Sequence, residues 1–487
     1  MITEETGRKD VVFLRNSRFA HLLTRENVFC LLNSLTLRKV FGGQLLGDLF
    51  ETCKDRVTLS QIVDRLASSY PDGSIEEVVA DLREKGLIVS DRNRDLDTYL
   101  KLFHHGLNQF QIQHMYFVPT TACNFRCKYC FVEDEDRKLV PMQMNEETAR
   151  LGLEVFAKLT EKAEKISLTF YGGEPLMNAR VVYYAMHYVR QLETKGLFKR
   201  PVDMTLLTNG SLVDAKTVQS VTETRTSVSI SIDGPEALHD SARKDLAGVG
   251  TYSKAISAYR RFQDSGIVPG VSCTLTKYNI DHIEEIARFI ANELRPPGMG
   301  FNVLLPLISS GNPEDTSPEF AANQLLVAFK ILREKGLYED RVMRRVRPYI
   351  EGGFQFKDCM GVGGQLVLTP EGMLGPCQAF LGFSQYFPLN VYSLHARLPL
   401  IQSTDVYKNP LFEEWRHRFP LNMSQCTDCF AISICGGGCP YAAQVNKGSI
   451  WQLDDRTCAQ AKQTMEWMIW DTYENLSALE TSDGERG

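Results

Sequence analysis

Apolar and polar positions along the chain follow three different rhythms in succession. Between residues 106 and 335 short strand-like runs recur: MYFVPT, ISLTFYGG, DMTLLTNG, SVSISIDG, PGVSCTLT and GFNVLLP. Stretches with apolar residues at helical spacing separate them, among them Glu146 to Leu159 and Val181 to Leu192. Strands alternating with helices predict an α/β domain with a parallel sheet, here a complete or partial barrel. Functional side chains of such barrels gather at the carboxyl ends of the strands.

Residues 1–105 keep a different pattern. Asn33 to Phe41 partly alternates and predicts a strand, which Gly42 and Gly43 break. Leu45 to Cys53 predicts a short helix. Thr58 to Tyr70 predicts another, with Thr58 as N-cap and Leu59, Ile62, Val63 and Leu66 on one face. Ser74 to Lys85 repeats this, Ser74 capping and Glu77 standing at the capping-box position. Gly86 stops that helix and LIVS starts a strand. Short helices followed by a strand suggest a winged-helix-like α+β module. A DNA-reading winged helix needs a basic recognition helix. Ser74 to Lys85 instead sets Glu76, Glu77, Asp81 and Glu84 against Arg83 and Lys85, which argues against DNA.

Residues 336–487 lose both rhythms. The segment is irregular, holds seven Cys and many Gly, and shows no pattern for a large core, so it needs metal or disulfide staples. Thr457 to Leu476 predicts a helix, and the tail ETSDGERG is expected to be mobile.

Composition narrows the class. The 487 residues fit about three domains. A net charge of −6 argues against a protein held to nucleic acid by overall charge. With 43% apolar and 23% charged residues the chain is ordinary for a soluble globular protein. No apolar run approaches the ~18 residues of a membrane span, and the start, MITEETGRKD, lacks the apolar core of a secretory signal. The expectation is a cytoplasmic protein without membrane or nucleic-acid partners.

Cysteine carries the chemistry. There are 13, an odd number, and in a cytosolic chain clustered Cys point to metal before disulfides. Cys123, Cys127 and Cys130 stand as CNFRCKYC just after the first barrel strand. Three thiolates suit an iron–sulfur cube with one iron left open. Zinc with a fourth ligand from elsewhere is the alternative.

This set resembles the hallmark C-x3-C-x-aromatic-C of the radical S-adenosylmethionine (radical SAM) enzymes, Tyr129 supplying the aromatic. Tyr171-Gly172-Gly173-Glu174-Pro175 resembles the family's GGE motif, which implies that Gly172, Gly173 and Glu174 hold the methionine amino group. Thr208-Asn209-Gly210 ends the third strand, and Ser229, Ser231 and Asp233 alternate on one face of the fourth. In the family that face meets the ribose and methionyl group. HDSARKDLAGVGTY resembles a further family segment, in which Arg243 matches the Arg that pairs with the SAM carboxylate. Taken singly, a turn at Asp233-Gly234 and a solvated Arg243 are the plainer readings; order and spacing favour the cofactor roles.

The C-terminal pattern Cys359-x12-Gly372-x4-Cys377, Cys426-x2-Cys429-x5-Cys435-x3-Cys439 and Cys458 resembles the SPASM domain. A zinc ribbon needs only four Cys. The resemblance implies two auxiliary 4Fe–4S clusters: Cys359, Cys377 and Cys439 on the first, Cys426, Cys429, Cys435 and Cys458 on the second. The first is one ligand short. A substrate group, another side chain, or Cys273, Cys30 or Cys53 would complete it, although Cys273 reads better as a core thiol.

The resemblance thus implies a partial (β/α)6 radical SAM barrel flanked by the N-terminal module and a SPASM domain, with three 4Fe–4S clusters and SAM. The leading activity is maturation of a ribosomally made precursor peptide by a thioether, as in sactipeptides, or another cross-link. The N-terminal module would act as a PqqD-like element that binds the leader, and a flavodoxin or ferredoxin would be the reductant. The alternative is sulfatase maturation to formylglycine, weakened because Gln378 follows Cys377 where that family has a catalytic Asp. A pure electron-transfer protein would need neither GGE nor Arg243. No general base is assigned. Tyr171, His239 and Asp240 are candidates with ordinary structural readings, and EDED at 133–136 reads as a solvated loop.

Overall fold

The computed structural model describes residues 12–71, 75–90, 92–109, 111–130, 139–307 and 316–484, with the side chains of 92–94 and 480–484 excepted. Ser74, the EDED run and the side chains of the tail lie outside the described residues.

The N-terminal module contains β1 (Phe13–Asn16), β2 (Ala20–Arg25), β3 (Val28–Asn33), β4 (Lys39–Gly42), β5 (Val57–Thr58) and β6 (Ile88–Val89). β2, β3 and β4 form an antiparallel meander, and β5 and β6 flank β1. The expected strand from Asn33 to Phe41 is instead a tight hairpin. The Asn33 side-chain oxygen accepts from the amides of Leu35 and Thr36 at 3.0 and 3.2 Å, and Leu37 turns into the left-handed region. An Asx turn of this kind outcompetes a continuous strand. Thr58 caps Leu59–Leu66 as expected, and Gln61 completes a capping box that was not foreseen.

Both faces of the meander are buried. Leu31 packs on Leu46, Leu49 and Ile62 of the module's own helices. Cys30 and Leu32 belong to a second core with Val346, Met465 and Trp470. Those residues lie on the helices Asp340–Glu351 and Asp455–Gly484. The module is therefore welded to the C-terminal part of the chain.

Six parallel strands lie side by side in the central sheet: β7 (His114–Thr120), β8 (Ile166–Gly172), β9 (Val202–Thr208), β10 (Ser227–Ser231), β11 (Gly270–Leu275) and β12 (Met299–Val303). Strict alternation decides which side each residue serves. Leu168, Phe170, Met204, Leu206, Val228, Ile230, Val271 and Phe301 enter the main core against the surrounding helices. Ser167, Thr169, Tyr171, Thr205, Ser229, Ser231, Ser272, Thr274 and Asn302 occupy the opposite, half-buried face. That inner face is polar.

The irregular C-terminal region adds to this sheet. β13 (Gln365–Leu368) runs parallel beside β7, and β14 (Met373–Gly375) and β15 (Leu389–Asn390) continue antiparallel. The helix Asp340–Glu351 is also present, with no sequence-based counterpart. No helix among the described residues is long and apolar enough to cross a membrane.

Candidate active site

β7 runs directly into the loop that carries Cys123, Cys127 and Cys130, and the end of β8 is pinned against that loop. The amides of Gly173 and Glu174 donate to the carbonyls of Thr120 and Ala122 at 3.2 and 2.9 Å. The glycines are required by this approach. A Cβ on Gly173 would stand 2.1 Å from the Ala122 carbonyl oxygen, and one on Gly172 would stand 2.3 Å from that of Thr120.

Glu174 is 1% exposed. Its Oε1 accepts from the Leu176 amide and the Thr208 hydroxyl at 3.1 and 2.7 Å, and its Oε2 from the Asn209 amide at 2.8 Å. Burial raises its pKa, and these three donors pull it back. The carboxylate thus ties the ends of β8 and β9 together. Asn209 extends the tie to the cysteine loop: its Nδ2 donates to Asn124 Oδ1 at 3.0 Å, while Asn124 Nδ2 donates to Ser211 Oγ at 2.8 Å.

On the other side of the loop Asp233 is the hub. Arg243 Nε and Nη2 donate to its two oxygens at 2.7 and 3.2 Å, and the Tyr129 hydroxyl donates to Oδ2 at 2.5 Å. The Thr274 amide adds a fourth bond at 2.8 Å. Ser229 and Ser231 lie half-buried on the inner face of β10, while Asp233 lies just beyond its end.

Two of the sequence's base candidates are structural. His239 is fully buried, and burial depresses its pKa to about 4. As the neutral ring it accepts the Asp233 amide at Nδ1 (3.3 Å) and faces Thr251 Oγ1 from Nε2 (3.1 Å). Asp240 accepts the amides of Thr251 and Tyr252 at 2.7 and 2.8 Å and so caps the next helix. Tyr171 faces the interior, with its ring edge-on to Tyr116 at 5.3 Å. Tyr116 in turn packs on His114 at 4.7 Å, and burial lowers the His114 pKa to about 4.

Of the seven C-terminal Cys, Cys377 and Cys426 are buried and the other five half-buried. Burial is the main influence on the thiols of Cys359, Cys426, Cys429, Cys435, Cys439 and Cys458 and raises the pKa of each. Cys30 lies in the second core, Cys53 in the N-terminal core and Cys273 in the main core, each fully buried among apolar side chains.

Burial raises the thiol pKa values, to about 12 at Cys123 and about 11 at Cys127. Thiolates here need positive charge from a bound metal. Cys123, Cys127 and Cys130 in one loop offer only thiolates, the donors that iron–sulfur cubes take. The buried polar atoms Arg345 Nε, Ser433 Oγ, Gln460 Nε2 and Thr464 Oγ1 lack partners among the described residues. Ser433 and Gln460 stand two residues from Cys435 and Cys458, so unsatisfied donors accompany the second thiol group, as cluster sulfides would use. The donor set fits iron–sulfur cubes.

Residues 117–290 match the Radical SAM superfamily model, so the chain carries a radical SAM domain over β7–β11 and the following helix. Among curated proteins, the radical SAM cyclopropyl synthase TigE of Paramaledivibacter caminithermalis is 24% identical over 430 residues, covering 82% of this chain and 84% of that one. A cysteine-type anaerobic sulfatase-maturating enzyme of Clostridium perfringens is 25% identical over 370 residues, 72% of this chain and 94% of that one. Among solved structures, anSMEcpe with bound AdoMet and Cp18Cys peptide superposes with a TM-score of 0.61 at 19% identity, covering 75% of this chain and 99% of that one. Streptococcus suis SuiB bound to precursor peptide SuiA gives 0.54 at 15% identity, with 91% and 99% coverage. At these identities the likeness is one of fold. The 91% coverage leaves out fewer residues than the N-terminal module contains, so the shared fold reaches into that module.

Asn124, Ser211 and Tyr116 are the site residues that sequence reasoning passed over, and Thr208 was quoted there without a role. Ser211 stands two residues after Asn209, and Asn124 follows the first Cys. Residues next to Asn124 and Ser211 were singled out, and position alone pointed to these two.

Proposed function

We propose that this chain is a radical SAM maturase acting on a peptide segment carried into the barrel, with the N-terminal module docking the leader of a ribosomally made precursor. The observation that carries this reading is the place of Tyr116. Its ring packs on Tyr171, which opens the Gly-Gly-Glu turn, and its backbone pairs with Val367 of β13, the strand that precedes Cys377. One interior residue thus links the strand that ends in the Gly-Gly-Glu turn to the strand that leads towards the first C-terminal thiol group.

In this reading Cys123, Cys127 and Cys130 hold the SAM-binding 4Fe–4S cluster, and the two C-terminal groups hold auxiliary clusters. The loaded cofactors supply a 5′-deoxyadenosyl radical when a flavodoxin or ferredoxin provides an electron. The protein's part is to orient and to exclude water. Gly172, Gly173 and Glu174 form the cradle for the methionyl amino group. Asp233 engages Arg243 through Nε and Nη2, which leaves Nη1 for the SAM carboxylate. Tyr129, Asn209, Ser229 and Ser231 complete the wall. The leader has an open edge available: among the described residues β4 pairs with β3 alone, and an unpaired edge accepts an added strand.

A second reading, formylglycine formation, draws support from the sulfatase-maturating relative that this chain matches over 94% of that protein's length. Gln378 weighs against it. Its side-chain oxygen accepts from Gln365 Nε2 at 3.1 Å, and an amide has no useful basicity.

The test supplies anaerobically reconstituted protein with SAM, dithionite and either a Cys-bearing precursor peptide or a sulfatase-derived Cys peptide. The first reading expects 5′-deoxyadenosine and a cross-linked product from the precursor. Formylglycine in the sulfatase peptide moves the assignment to the second, and no 5′-deoxyadenosine with either contradicts both.

A further inference from the structure

Arg418 is a cation in an unusual place. Its side chain is fully buried. Among the described residues its polar partners are backbone carbonyls: Nε donates to Ile450, Nη1 to Gly438 at 2.9 Å and Nη2 to Gln452 at 3.2 Å. Among the described residues no carboxylate lies within ion-pair distance of it. Its neighbours in this region differ. Arg344 pairs with Asp340, Arg345 with Asp358 at 3.0 Å and Arg456 with Asp454 at 3.3 Å. A buried charge without a counter-ion is strongly disfavoured, and none of the described carboxylates supplies one here.

The surroundings indicate what that counter-ion is. The Gly438 carbonyl closes the run Gly436-Gly437-Gly438, which joins Cys435 of one thiol group to Cys439 of the other. All three glycines have positive φ, of 73°, 83° and 75°. A Cβ on Gly436 would stand 2.3 Å from the Asp358 amide nitrogen, so the run is pressed against the segment leading to Cys359. Arg418 is clamped to this bridge. Through Gly438 it stands one residue from Cys439 of the first group and three from Cys435 of the second.

We propose that Arg418 is the shared counter-cation of the two C-terminal thiolate groups, a positioning residue that raises the reduction potentials of both auxiliary clusters together. The proposal rests on the reading that both groups hold 4Fe–4S clusters. A fixed positive charge stabilises the reduced, more negative form of a nearby cluster, and charge and hydrogen bonding around the sulfurs are what set such potentials. Arg418 touches neither substrate nor SAM in this account.

The experiment compares wild type, Arg418→Gln and Arg418→Lys, all reconstituted without oxygen, by iron count and by EPR-monitored redox titration. The expected result is a shift of both auxiliary midpoints to lower potential in Arg418→Gln, an unmoved SAM-cluster midpoint, and values near wild type in Arg418→Lys. Full iron with unmoved auxiliary midpoints in Arg418→Gln overturns the proposal. If Arg418→Gln fails to take up full iron, Arg418→Lys decides: full iron and wild-type midpoints support the charge role, and loss of iron there too shows that Arg418 is only a structural clamp. Wild type with iron for a single cube would instead remove the reading beneath the proposal.

Discussion

Arg243 and Asp233 form a bidentate ion pair that is almost sealed from solvent, with side-chain exposures of 9% and 1%. The pair holds the end of β10 against the cysteine loop, because Tyr129 of that loop donates to the same carboxylate. Removing one partner of a buried pair leaves the other charge stranded, at a cost of about 3–5 kcal/mol. Asp233→Asn is therefore expected to lower thermal stability and to weaken SAM binding, read by calorimetry on the loaded protein. Unchanged stability would show that the pair is solvated in solution.

Gly173→Ala tests the contact between the Gly-Gly-Glu turn and the cysteine loop. The new methyl would meet the Ala122 carbonyl at 2.1 Å, and the loop must move to admit it. The expected outcome is loss of about four irons per chain, those of the SAM-binding cluster, with the auxiliary clusters retained. A full iron count with normal 5′-deoxyadenosine release would contradict the packing argument.

The two buried imidazoles set an acid limit on stability. His114 and His239 are held neutral, with pKa values depressed to about 4 from the ordinary 6.5 by burial. Below 6.5 the unfolded chain binds protons that the folded chain refuses, so stability falls as pH drops from 6.5 towards 4. Between about pH 7 and about pH 5 each contributes a loss of roughly 2 kcal/mol. Urea unfolding of His114→Gln should show a shallower pH slope than wild type over that range. Parallel slopes would mean that His114 titrates normally.

Deletion of residues 1–105 is expected to cost the rest of the chain its stability. Cys30, Leu32 and Leu37 leave a core they share with Val346, Met465 and Trp470. Phe41 also leaves its place against Trp470 and Tyr473, at 6.4 and 5.3 Å. The truncated chain should unfold at lower temperature or fail to stay soluble. A truncation as stable as the full chain would show that the module is independent, and leader docking could then be tested by deletion.

The parallel sheet was legible because most of its strands show period-two alternation, and β7 to β10 lead into motifs that carry chemistry. His114–Thr120 and Ile166–Gly172 fall within a residue of the runs MYFVPT and ISLTFYGG. The hairpin at Asn33 was not, since a side chain accepting the amides two and three residues on leaves no periodic trace. β13 was missed for a different reason. Gln365 to Leu368 is short and buried on both sides, and only its parallel pairing with β7 makes it part of the central sheet. Asp233 and Arg243 were both singled out, but their pairing with each other leaves no mark in local spacing, and the Arg418 clamp reaches carbonyls 20 to 34 residues further along the chain.

The most direct measurement of the central claim is iron and labile sulfide per chain after anaerobic reconstitution, with 5′-deoxyadenosine release read on the same sample. The account predicts about twelve irons and twelve sulfides, and release abolished in the combined Cys123→Ala, Cys127→Ala and Cys130→Ala variant, which keeps about eight of each. About four of each in the wild type, or release persisting in the triple variant, would contradict it.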